Sequence, residues 1–74
     1  MSVFITLINL MEKTTIINIE TGISKKCDIL FKNKNILEVV IEDTTIKITL
    51  IKKKPLEQYY NGKYLNMDFQ SSGK

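Results

Sequence analysis

The sequence predicts an all-β domain of about five antiparallel strands, arranged as a meander and curled into a small barrel or sandwich. Three observations predict it. Apolar and β-branched residues alternate with polar ones at period two, Asn, Asp, Gly and Pro punctuate the runs, and no segment of useful length carries a helical period.

The segment Asn35 to Lys54 defines its own pairing. With Glu42 to Thr45 as the loop, Ile41 faces Ile46, Val39 faces Ile48 and Leu37 faces Leu50, while Glu38, Val40, Lys47 and Thr49 point the other way. A slip of one residue would send the whole apolar column into water.

Ser24 to Lys32 reads as the preceding strand, with Cys27, Ile29 and Phe31 on one face. A three-residue loop, Asn33-Lys34-Asn35, with an Asn in the left-handed region, sets Phe31 opposite Leu37, Ile29 opposite Val39 and Cys27 opposite Ile41. The reverse face is mixed: its rows are Asp28/Val40/Lys47, Leu30/Glu38/Thr49 and Lys32/Ile36/Ile51. Leu30, Ile36, Val40 and Ile51 are too apolar for a purely solvated face, so part of it requires a cover.

Thr14 to Glu20 is a further β-branched run, with Gly22 in the turn that follows it. An odd-numbered loop places Ile17 opposite Cys27 and Thr15 opposite Ile29. A two-residue loop would set Asn18 against Cys27, which disfavours it. Downstream, Pro55 has no amide to donate to a ladder, so Lys52 to Pro55 form a boundary. Asn61-Gly62 is a strong hairpin signal, and Lys63 to Gln70 reads as the last strand. A short helical turn over Pro55 to Tyr60 is the alternative there. Residues 71–74, Ser-Ser-Gly-Lys, are expected to fray.

The domain is therefore expected over residues 12–70. The apolar run before it, residues 1–11, is too short to span a bilayer, which needs about 20 residues, and lacks the pattern of a signal peptide. It reads either as a strand that closes the sheet or pairs with another subunit, or as an extension upstream of Met11.

At 74 residues, only about 60% of the unfolded chain's surface can be buried, so oligomerisation is the expected aid to stability. Net charge is +3, and every cationic side chain is lysine: the chain has no Arg, His or Trp. Without histidine, the commonest general base and metal ligand is missing. The lone Cys27 cannot form an intrachain disulfide and suits a reducing cytoplasm. Its inward position favours packing over nucleophilic chemistry. Glu42-Asp43 is explained as turn chemistry, and Asn61-Gly62-Lys63 lacks the glycines and helix of a phosphate loop. These features predict a non-enzyme with no cofactor and no metal. An Arg-free, Ile-, Lys- and Asn-rich composition is compatible with a phage or mobile-element product.

The leading functional expectation is a non-catalytic binding or assembly module of SH3-like or OB-like size, homo-oligomeric or bound to another protein. Its contact would use Tyr59, Tyr60, Asn61, Lys63 and Tyr64 with one edge strand. The alternative is a nucleic-acid-binding barrel using Lys52, Lys53 and Lys54 with exposed tyrosines, although these lysines also serve as gatekeepers against strand aggregation. A third reading places a nucleotide or other metabolite between subunits at the tyrosine segment. No membrane partner is expected.

Overall fold

The computed structural model describes residues 12–74. Six antiparallel strands follow one another in a meander: β1 (Lys13–Asn18), β2 (Ser24–Lys32), β3 (Ile36–Ile41), β4 (Lys47–Ile51), β5 (Tyr60–Tyr64) and β6 (Met67–Ser71). β6 returns to pair with β1, so the sheet closes into a barrel. The expectation for residues 1–11 lies outside the described residues.

The central hairpin has the register that its pattern dictates. Val39 pairs with Ile48 and Leu37 with Leu50, and the Ile41 amide donates to the Ile46 carbonyl at 3.0 Å. The turn closes with Asp43 in the left-handed region, while the Thr44 hydroxyl donates to the Ile41 carbonyl at 2.8 Å. Leu37, Val39, Ile48 and Leu50 are all buried, and together with Ile16, Cys27, Ile29, Tyr60 and Phe69 they form the core. Each such aliphatic side chain contributes about 1.5–3 kcal/mol on full burial.

The register of β1 corrects the sequence expectation. Thr14 pairs with Cys27 and Ile17 with Ser24, so Thr14, Ile16 and Asn18 face inward and Ile17 faces out. The turn is one that makes an inward asparagine useful. Asn18 Oδ1 accepts from the amides of Glu20 at 3.0 Å and Thr21 at 3.3 Å, and the Asn18 carbonyl accepts from Gly22 at 2.8 Å. Asn18 is buried because it caps its own loop.

A β-bulge corrects the end of β2. After Ile29 pairs with Val39, Leu30 is an extra residue, and Phe31 stands opposite Glu38 where Leu37 was expected. Phe31 is thereby turned out of the core. The bulge also shortens the loop: the Asn33 amide donates to the Ile36 carbonyl, and Asn33 Oδ1 accepts from the amides of Asn35 at 2.8 Å and Ile36 at 2.7 Å. The side-chain turn takes over the task expected of a left-handed Asn.

Asn61-Gly62 is not a hairpin turn but the middle of β5, where Asn61 pairs with Gln70 and Gly62 with Phe69. Gly62 is needed for close approach: a Cβ there would collide with the Thr49 carbonyl oxygen and come within 3.0 Å of Leu50 Cα. The turn is Leu65-Asn66, with Leu65 at φ 57°. Pro55 lies in a single turn closed by the Glu57 amide on the Lys54 carbonyl, not in a helix.

The chain's last residues are pinned, not frayed. Ser71 belongs to β6 and is buried with Thr14, their hydroxyls 3.1 Å apart. Thr14 donates to the Lys74 carbonyl at 3.0 Å, and Lys32 Nζ donates to the Gly73 carbonyl at 3.0 Å. Among the described residues, no helix is long and apolar enough to cross a membrane.

Candidate functional site

Antiparallel connectivity brings the β2–β3 turn, the β4–β5 connection and the chain's last residues to one end of the barrel. Their contacts interlock. The Lys52 amide donates to the Asn35 carbonyl at 2.7 Å, Asn35 Nδ2 returns a bond to the Lys52 carbonyl, and Tyr60 Oη donates to the Asn33 carbonyl at 2.6 Å. The Lys52 ammonium sits 4.5 Å from the Tyr60 ring centroid, over its negative face.

This end carries Lys32, Lys34, Lys52, Lys53 and Lys54, five of the chain's eleven lysines, whereas Lys74 lies beside Lys13, Lys26 and Glu42 in a separate depression. In these three segments Glu57 is the sole acidic side chain, and it accepts the Lys53 amide at 3.0 Å. Elsewhere two lysines are paired with carboxylates. Lys13 bridges Asp28 and Glu42 at 2.8 Å each, and these hydrogen bonds, Asp28 first, hold its ammonium above the usual lysine range. Lys63 lies 3.7 Å from Asp68. Among the described residues, every ion pair involves Lys13 or Lys63, so the charge of the basic end is not neutralised internally.

Beside the lysines, the outer face of β2, β3 and β4 carries an apolar group next to Glu38 and Thr49. Ile36 pairs directly with Ile51, and Phe31, opposite Glu38, lies diagonally from Ile36. Phe31 and Ile51 are each 51% exposed. The row continues through Asn61, the partner of Ile51 on β5, and a cleft of about 460 Å³ opens there, lined by Ile51, Lys53, Glu57 and Asn61.

The opposite mouth is different in chemistry. Ile41, Ile46, Tyr64, Met67 and Phe69, with Asn18 and Lys25 among the other lining residues, enclose an apolar cavity of about 410 Å³. Ile19, Ile23 and Leu65 stand exposed in the turns at this end.

The residues expected to form one tyrosine site are dispersed. Tyr60 is a core residue, which removes it as an exposed contact. Tyr59 is at the basic end and partly exposed, whereas Tyr64 packs at the apolar mouth. Asn61 and Lys63 line a shallow depression of about 330 Å³ on the barrel wall with Ile19 and Asp68, and no tyrosine joins them. Among the described residues each strand has a neighbour on both sides, although β4 and β5 meet at the single pair Ile51–Asn61 and β1 and β6 at two pairs.

Cys27 is buried, and burial pushes its thiol up to about 11, the opposite of nucleophile activation. Among the described residues, no group of three or more Cys, Asp or Glu gathers to hold a metal. Comparison with family models, curated proteins and solved structures found no match for this chain.

Lys52, Lys53 and Lys54 were legible as a cluster; their union with Lys32 and Lys34 follows only from topology. Phe31 was hidden by the bulge, and no local signal in Ile29-Leu30-Phe31 announces it.

Proposed function

We propose that this barrel is a non-catalytic binding module whose basic end holds a nucleic acid by its phosphates. The observation that supports it is the convergence of Lys32, Lys34, Lys52, Lys53 and Lys54 on one end, none of them in an ion pair among the described residues, while carboxylates pair with Lys13 and Lys63. Lysines act as point charges on a polyanion, and binding releases the counterions condensed on it.

The test is fluorescence anisotropy with a labelled single-stranded oligonucleotide across a salt series. Affinity falls steeply with salt, and replacing Lys52, Lys53 and Lys54 together with Gln weakens binding and flattens the slope by about 0.7 per lost phosphate contact. No retention at low salt, or an unchanged slope in the triple variant, contradicts the reading.

A second reading, self-association, has its own observation: exposed Ile23 lines the apolar mouth, and Ile19 and Leu65 are exposed in the turns at the same end. Light scattering after size exclusion tests it. Ile23→Lys with Leu65→Lys converts an oligomer to a monomer if this end is the contact, and a wild type that elutes as a monomer at all concentrations rules it out.

A further inference from the structure

We infer that the outer face built by Phe31, Ile36 and Ile51 is a stacking platform for unpaired bases, so that the nucleic acid taken by the basic end is single-stranded. This rests on the phosphate-binding reading above and adds the form of the ligand to it. The first support is the bulge. A regular ladder would put Phe31 into the core opposite Leu37, and the extra residue Leu30 turns it outward, 51% exposed. Bulges concentrate at sheet edges, at barrel rims and next to functional sites, where they re-aim a side chain, and this one lies near the rim at the end of β2.

The second support is what surrounds the ring. Ile36 and Ile51 form a registered, exposed pair diagonal to Phe31, and Asn61 follows Ile51 in the same row with an amide able to donate to and accept from a base edge. Lys34 lies in the turn between Phe31 and Ile36, and Lys53 lines the cleft that begins at Ile51. An apolar and aromatic surface edged by lysines matches a single strand, whose bases expose their faces while its backbone stays charged. A duplex presents no base faces to such a surface.

Two carboxylates face the platform. Glu57 is occupied with the Lys53 amide, and Glu38 stands directly opposite Phe31. Glu38 repels phosphate, which directs the backbone of the strand to the Lys34 and Lys53 side.

The chain has no tryptophan, so Phe31→Trp creates a single reporter. Titration with a 12-nucleotide oligo-dT, with a duplex of equal length and with inorganic polyphosphate separates the contributions. Fluorescence of the Phe31→Trp protein is quenched by the single strand and not by duplex or polyphosphate. Phe31→Ala weakens the single strand by roughly tenfold or more with the salt slope unchanged, and Glu38→Gln tightens it. Thermal melting of Phe31→Ala close to wild type shows that the fold is intact, as an exposed site predicts. Wild-type affinity in Phe31→Ala, with binding still lost in the Lys52, Lys53 and Lys54 variant, overturns the platform and leaves the phosphate reading standing. Equal affinity for duplex overturns the platform as well, and no binding by the wild type overturns both.

Discussion

Tyr60 Oη donates to the Asn33 carbonyl at 2.6 Å, tying β5 to the β2–β3 turn across 27 residues of sequence. The bond satisfies the one polar atom of an otherwise buried ring and holds the basic end together beneath Lys52. Tyr60→Phe keeps the ring and loses the bond, which lowers stability by about 1 kcal/mol in urea unfolding. Tyr60→Ala opens a cavity and costs about 3–5 kcal/mol, enough to threaten folding in a domain of this size. Its effect on any binding assay is therefore a measure of folding.

Gly62 and Leu65 are a pair of backbone positions with opposite needs. Gly62→Ala drives a Cβ into the β4 backbone at Thr49 and Leu50 and destabilises by about 1–3 kcal/mol. Leu65 occupies the left-handed region with an exposed side chain, so Leu65→Asn relieves the backbone and raises stability by up to about 1 kcal/mol. Urea midpoints measured on the two variants check both signs.

Asn18 faces the core side of the barrel, where hydrophobic patterning would put an aliphatic residue. Asn18→Leu is nonetheless expected to destabilise by about 1–2 kcal/mol, because the Glu20 and Thr21 amides lose their acceptor. A gain in the thermal midpoint would show that the loop does not depend on this cap.

These residues also show where the fold was legible in the sequence. The β3–β4 hairpin was legible throughout, since its apolar column at Leu37, Val39, Ile41, Ile46, Ile48 and Leu50 tolerates one register only. The phase of β1 was misread because period-two patterning treats an inward Asn18 as an error, and its compensation lies in the amides of the next turn. Asn61-Gly62 carried a strong local turn signal that tertiary packing overrode: β5 needed the missing Cβ to pass β4. The basic site was half legible, as Lys52 to Lys54 are adjacent in sequence. Phe31 required knowledge of a bulge, which is a property of two paired strands and not of either alone.

The Cys27 thiol titrates near pH 11 in the folded protein, above its ordinary value of 9.0. The native state therefore keeps its proton through a window in which the unfolded chain releases it. Stability from this group is fully present below pH 9 and declines as pH rises towards about 11. Urea unfolding at pH 8 and pH 10 reads the decline, which is smaller in Cys27→Ala. Lys13, also raised, acts in the same direction only above its ordinary 10.5, so this comparison isolates the thiol. Iodoacetamide at pH 8 reacts slowly with the folded protein and readily in urea.

Amide chemical-shift mapping with a 12-nucleotide single strand tests the central claim most directly, because the two ends of the barrel differ in chemistry and are built from different segments of the chain. The account predicts shifts concentrated at Phe31 to Ile36, Ile51 to Lys54 and Asn61, with Asn18 to Ile23 and Leu65 to Asn66 unmoved. Shifts confined to the apolar mouth, or none at low salt, would contradict it.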